Sequence, residues 1–261
     1  MNIVVCIKQV PNTNEVRIDP KTGTLIREGV PSIINPDDKA GLEAALRLKD
    51  SQGAHVAVLS MGPPQAEAAL REALAMGADE AYLVTDRAFG GADTWATAHT
   101  IAAALKKLPY DLIITGRQAI DGDTAQVGPQ IAENLNIPNI SYAEEIKVED
   151  GSVTVKRQFE DRYHLLKAKL PCLVTALSEL NTPRYMTPGG IFDAYREKKV
   201  NIITRADLDV ADGDIGLKGS PTRVVQTFTK SPKAAGTLVT NLNPQEAADY
   251  MLEKLREKFI I

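Results

Sequence analysis

Residue types and spacings that could do chemistry concentrate between residues 111 and 135, DLIITGRQAIDGDTAQVGPQIAENL. An apolar run at residues 112–115 has the character of a strand buried in a parallel sheet, and Gly116 ends it. Gly122 and Gly128 follow, in a loop and the start of an amphipathic helix, where glycine lets backbone come close to a ligand. The free N–H groups and positive dipole end of such a helix favour an anion, here the diphosphate of a nucleotide. Asp123 or Thr124 is expected to cap the helix. Carboxylates do not bind phosphate directly, so Asp121 and Asp123 fit as loop-shaping caps or as acceptors for ribose hydroxyls. Thr124, Gln126 and backbone N–H groups are the donors. The same spacing also describes an ordinary capped strand–loop–helix, since glycine-loop motifs recur without ligands.

Other chemistries lack their residues. His55, His99 and His164 lie in strand or helix patterns with no serine or cysteine partner, and read as structural or surface groups. There is no Walker sequence and no kinase set, so any redox chemistry belongs to a bound cofactor. The net charge of −4, with lysines scattered among acids, argues against a nucleic-acid surface. Cys6 and Cys172 both sit in apolar, strand-like runs, and are expected to be buried free thiols in a reducing compartment. No metal site is suggested. The N-terminal MNIVVCIKQV lacks the features of a signal peptide, and no apolar run reaches the roughly 20 residues of a membrane span. The expected location is the cytoplasm.

The elements that must position the glycine loop alternate regularly. Residues 2–7, 55–60, 81–85 and 112–115 read as strands, and residues 39–51, 65–76, 94–108 and the stretch after 123 as helices. Four strands alternating with four helices predict an α/β fold, a Rossmann-like doubly wound parallel sheet. In such sheets the ligand lies beyond the carboxyl ends of the strands at the switch point. That rule gathers the loops at 6–10, 60–63, 86–93 and 116–123 on one rim. Within the third of these, AFGGADT has two glycines, and Thr94 and Thr97 share a face of the following helix start; Thr94 reads equally as a cap. Residues 12–34 interrupt the pattern with an excursion, VRIDPKTGTLIR reading as a small hairpin and a candidate lid.

After residue 137 the rhythm changes to strands alone. ISYAEEIKVED, GSVTVKRQFED, RYHLLKAKLP and CLVTALSEL are expected to form an antiparallel extension over residues 140–180, turning at Asp150-Gly151 and at Glu160-Asp161. NTPRYMTPGG is a Pro/Gly-rich loop within residues 179–190, before a short helix near 191–198. This places one domain at residues 1–200. From 201 to about 243 few apolar residues are contiguous, which predicts an extended arm leading to a helix at 244–258, residues 201–261 packing on a partner subunit. Ala247, Ala248, Met251, Leu252 and Leu255 share one face of that helix.

Five blocks in this order resemble the β subunit of electron-transfer flavoproteins over essentially the full length: VCIKQVP, INPDDKAGLEAALRLKD, SMGPPQAEAALREALAMGADEA, GRQAIDGDTAQVGPQIAENL and VKRQFEDRYHLLKAKLPCLVTA, followed by NTPRY. The turn Glu160-Asp161-Arg162-Tyr163 departs from the usual signature. The resemblance implies a heterodimer with an FAD-bearing α subunit, exchanging electrons with acyl-CoA dehydrogenases. Most such β subunits hold AMP. A subset, the electron-bifurcating flavoproteins, holds a second FAD that takes hydride from NADH and also serves a low-potential acceptor, ferredoxin or flavodoxin. TGTLIREGVPSIINPDD is similar to that subset. Carried over by position, the nucleotide contacts fall on Cys6, Asn35, Pro36, Asp37, Asp38 and Met61, and on the helix start at Asp123, Thr124, Ala125, Gln126, Val127, Gly128, Pro129 and Gln130. Thr94 and Thr97 would flank the flavin ring. Leu180 becomes the anchor of a recognition loop for the dehydrogenase, with Asn181, Pro183, Arg184 and Tyr185 beside it. Two rivals remain at this level: a stress-protein-like ATP-binding domain, and a β subunit that only scaffolds its partner.

Overall fold

A computed structural model describes residues 1–12, 31–225 and 236–261. The chain divides into two compact units, residues 1–224 and 225–261.

The first unit is built on a nine-stranded sheet. Strands β1 (Asn2–Cys6), β4 (His55–Met61), β5 (Glu80–Val84) and β6 (Leu112–Gly116) are joined by helices α1 (Pro36–Gln52), α2 (Glu67–Met76) and α3 (Thr94–Leu105). Helix α4 (Val127–Leu135) follows β6. β1 pairs in parallel with β4 on one side and with β6 on the other. The chain therefore lays β4 and β5 outward from β1, then crosses back to place β6 on its other flank, which makes the β1–β6 boundary the switch point. Side chains alternate along β1: Ile3 and Val5 pack with Leu42 and Leu46 of α1 and Leu70 and Leu74 of α2, whereas Val4 and Cys6 pack with Ala98, Ile101 and Leu105 of α3 and Ile131 of α4. Both faces are covered, which is why the strands read as continuous apolar runs rather than as alternating ones.

Two short strands, β2 (Gln9–Pro11) and β3 (Ser32–Ile34), pair antiparallel. They bracket the excursion, whose expected hairpin and lid at residues 13–30 lie outside the described residues.

The second half departs from the expected layout in two places. β7 (Asn139–Glu149), β8 (Ser152–Gln158) and β9 (Tyr163–Lys169) form the antiparallel extension, and Asp150-Gly151 makes the first turn with φ of 49° and 67°. The fourth expected member does not join it. β10 (Cys172–Ala176) inserts between β6 and β7 and runs parallel to both. Every residue of β10 is buried, and a strand with no solvated face belongs in the middle of a covered sheet. The second correction concerns the boundary at 200/201, which falls inside β11 (Val200–Ile203), an edge strand parallel to β5 that follows α5 (Pro188–Arg196). Beyond it Leu208 and Ile215 are buried in the same apolar cluster as Val84 and Phe89. Isolated apolar residues at wide spacing raise no periodic signal, yet each plugs the layer over β5.

The second unit contains α6 (Pro244–Glu257), opened by a capping box in which Asn243 and Glu246 satisfy each other's backbone N–H groups. Its Met251, Leu252 and Leu255 are exposed. Among the described residues no helix is long and apolar enough to cross a membrane.

The switch point tolerates no added volume. A Cβ on Gly116 would stand 2.2 Å from Oδ1 of Asp38 and 2.8 Å from its backbone nitrogen. Gly116→Ala should therefore lower stability by about 1–3 kcal/mol or more, read as an earlier midpoint in urea with an unchanged slope.

Candidate functional site

A cleft of about 1270 Å³ opens beyond the carboxyl ends of β1, β4, β5 and β6, and the four loops expected on one rim all contribute to it. It exceeds the roughly 300–1,000 Å³ of ordinary small-molecule pockets.

Its floor is the start of α4. The helix begins at Val127, later than expected, and its N-cap is Gln126, which makes no side-chain capping bond. Asp123 and Thr124 are therefore not caps: Ala125 and Gln126 stand between them and the helix, and the approach is bent by left-handed backbone at Asp123, with φ of 53°, and at Ala125, with φ of 54°. Left-handed Ala125 followed by right-handed Gln126 is the backbone pattern of an anion-binding nest, in which successive N–H groups turn to one side, and the uncapped first turn of α4 adds its dipole to it. Placing alanine in this region costs roughly 1–2 kcal/mol, so the loop spends stability on its shape. Gly128 allows the helix to sit on the sheet, since a Cβ there would meet Thr115 Oγ1 at 2.6 Å and Thr175 at 2.9 Å. Gly122 faces open space.

The loop from 117 to 123 is held from behind by Asn35, which is fully buried. Its Nδ2 donates to the Gln118 carbonyl at 2.8 Å and its Oδ1 accepts from Ile120 N–H at 3.0 Å. Asp38 ties the two central strand ends together: Oδ2 accepts from Lys8 N–H at 2.8 Å and Oδ1 from Gly116 N–H at 2.9 Å. Burial pushes its carboxyl up to about 7 despite those bonds. Cys6, beside it, is pushed up to about 12 by burial and then by the Asp38 charge, so it stays a neutral thiol. Asp37 turns away, accepting from Ser178 N–H at 3.0 Å and pairing with Arg117 at 3.4 Å. Lys8 reaches Asp121 at 2.7 Å.

The structure thus brings Cys6, Asp38, Met61, Thr94, Thr97, Thr124, Ala125, Gln126, Val127 and Gly128 to the cleft. Asn35, Pro36, Asp37, Asp123, Pro129 and Gln130 stand behind or beside it, as supports for the loop, for α1 or for α4. Asp93, not Thr94, caps α3, accepting from Ala96 N–H at 3.0 Å. Thr94 is left to donate to Gln126 Oε1 at 2.8 Å, linking α3 to the nest loop. None of the three histidines lines the cleft. Lys8 and Arg117 also line it, and the rim rule could have found both. Thr222 lines it without any signal in the sequence.

Away from the cleft, Leu180 ends a short 3₁₀ turn and is half-buried against the apolar core. Asn181 donates to the Ala40 carbonyl at 2.9 Å, Pro183 is half-buried, and Arg184 grips Glu43 at 2.8 Å and Asp50 at 2.7 Å. Tyr185 projects from this braced loop, 94% exposed.

Residues 22–208 match the family described as electron transfer flavoprotein domain. The chain is 59% identical over 261 residues to an electron transfer flavoprotein subunit beta of Clostridium acetobutylicum, covering the whole of both chains. It is similar over the same full span to the caffeyl-CoA reductase–Etf complex subunit CarD of Acetobacterium woodii, at 56% identity. At 45% it also matches the acryloyl-CoA reductase electron transfer subunit gamma of Anaerotignum propionicum, again over all of both chains.

The Asp38 tie carries a pH signature. Its folded-state proton affinity exceeds that of an unfolded aspartate at 3.8, so the folded state holds the proton more tightly and loses relative stability as pH rises from there to about 7, then levels off. The stability difference between wild type and Asp38→Asn, measured in urea from pH 4 to 8, should shift in favour of the variant over that window.

Proposed function

The chain belongs to the β-subunit branch of the electron transfer flavoprotein family, and from that premise we propose that it binds FAD in the cleft, as half of a heterodimer with an α subunit. The heterodimer oxidises NADH and divides the electrons. One goes to a low-potential acceptor, ferredoxin or flavodoxin, and the other passes through the α-subunit FAD to an acyl-CoA dehydrogenase. The observation that carries the reading is the cleft's size: at about 1270 Å³ it is larger than ordinary small-molecule pockets, and its lining includes both the nest at Ala125–Val127 and the glycine loop before α3. Two relatives named for reductases of CoA compounds support the dehydrogenase partner.

FAD would supply hydride acceptance and one-electron delivery, chemistry that no side chain here provides. The protein's part is to hold and orient it. Backbone N–H groups of the nest and the α4 dipole suit the pyrophosphate, and Cys6 and Met61 lie where the adenosine end would rest. Thr94 and Thr97 offer hydroxyls to the ring, Gly90 and Gly91 permit its close approach, and Phe89, Ile101 and Ile131 keep the wall dry. The exposed apolar residues of α6 supply a face for the α subunit. The braced loop at 180–185 is the docking surface for the dehydrogenase, with Leu180 and Tyr185 its apolar contacts.

Heterodimer purified with its native ligands should release two FAD on denaturation; one FAD and one AMP would leave an ordinary carrier. Thr94→Val with Thr97→Val should slow reduction of the β-site flavin by NADH, and unchanged rates would remove both residues from the site. Leu180→Ala and Tyr185→Ala should each slow electron transfer to the dehydrogenase tenfold or more while flavin content and reduction by NADH persist. Loss of flavin or of the heterodimer in Leu180→Ala would instead mark a core residue.

A further inference from the structure

By composition, residues 211–222 read as part of an extended arm that packs on a partner subunit. In the fold they strap the glycine loop at the cleft mouth. Gly216, at φ of 57°, lies so close to the loop that a Cβ would stand 2.0 Å from the Ala88 carbonyl oxygen, and Leu217 N–H donates to the Gly90 carbonyl at 3.0 Å. Ser220 Oγ accepts from Asp93 N–H at 2.8 Å and donates to the Gly216 carbonyl at 2.8 Å. Asp93 then closes the strap: its Oδ2 accepts from both the N–H of Thr222, at 3.0 Å, and its hydroxyl, at 2.8 Å. The other oxygen, Oδ1, caps α3 through Ala96.

One carboxylate thus holds the strap with one oxygen and the start of α3 with the other. From there the hydrogen bonds continue. Thr94, the next residue, donates to Gln126, whose backbone forms the anion nest with Ala125. The path from Thr222 to the nest has no break, and both its ends line the cleft.

We infer that Asp93 and Thr222 are positioning residues for the nucleotide: their clamp sets the first turn of α3, and through Thr94 the nest loop, in the binding geometry. The inference rests on the cleft being the nucleotide site. A preformed site does not have to order α3 and the loop when the ligand arrives, and that saving appears as affinity. A hydrogen bond to a charged acceptor contributes about 1.5–3 kcal/mol; where its loss lets the empty site leave the binding geometry, the ligand has to restore that order, a factor of up to roughly ten to a hundred in binding.

The test uses the full-length chain produced with its α subunit, as wild type, Thr222→Val and Thr222→Ser. Thr222→Val keeps the side-chain volume and the backbone bond but loses the hydroxyl; Thr222→Ser restores it. Amide hydrogen exchange of the nucleotide-free heterodimer should accelerate at residues 93–97 in Thr222→Val and return towards wild type in Thr222→Ser. Titration with FAD and with AMP should show about tenfold weaker binding for Thr222→Val of whichever nucleotide wild type holds, with the thermal midpoint of the empty protein unchanged. Unchanged exchange would show that the clamp does not hold α3 and would overturn the inference. Faster exchange with undiminished affinity would also overturn it, because the clamp would then be structural only. A wild type that bound neither nucleotide would sink the nucleotide reading itself, and the inference with it.

Discussion

Where two adjacent parallel strands end and diverge into different loops, their last N–H groups lose their ladder partners, and in this protein a single carboxylate accepts from both. Asp38, in the first turn of α1, accepts from the ends of both β1 and β6. The bond to β6 needs Gly116, because any side chain there would occupy the place of the carboxylate. The loop leaving β1 lines the cleft at Ile7 and Lys8, and the loop leaving β6 leads to the nest, so both of these stretches of the cleft's lining adjoin the junction. Its cost is a buried acid, held up near neutrality by the loss of water around it.

From that junction outward the site is made mostly of backbone. The nest, the uncapped helix start and the paired glycines before α3 present N–H groups and close approach rather than titrating side chains. Of the buried acidic groups at the cleft, Cys6 stays neutral and Asp38 is engaged by two backbone N–H groups. A site of this composition grips and orients without reacting, which suits a family whose chemistry resides in a cofactor. The polar side chains that support it, Asn35 and Asp93 above all, act on the backbone, fixing carbonyl and N–H groups of the loops and of the start of α3.

The two strand edges of the sheet are unlike. At one end β9 carries exposed Tyr163 and Leu165, with Lys156 lying over the Tyr163 ring. At the other, β11 presents exposed Ile202, and neighbouring α5 exposes Phe192 under the Arg196 guanidinium. Cations over rings keep such apolar surface hydrated while leaving it available to a partner. Between the edges, the loop at 180–185 is stiffened by Arg184, whose guanidinium is doubly paired with Glu43 and Asp50. A braced loop offers Tyr185 in one place rather than in many, which lowers the entropy lost on contact.

The sequence alone determined the features that depend on neighbours along the chain. Apolar runs and helical periods located β1, β4, β5, β6 and α1 to α4, glycines marked the rim loops, and Asp150-Gly151 announced its turn, because period and turn chemistry are local properties. The ordered blocks that resemble the flavoprotein β subunits were legible for the same reason. Tertiary structure decided the rest. β10 looks like one more strand of the extension until its five buried residues require covered faces on both sides, which only the gap between β6 and β7 supplies. The start of α4 moved to Val127 because Asp123 and Ala125 adopt left-handed backbone, a conformation of which an alanine in the sequence gives no sign. Thr222 reached the cleft through a carboxylate 129 positions away in sequence. Such contacts are set by which strand ends the fold places side by side, and no local pattern in the chain encodes that.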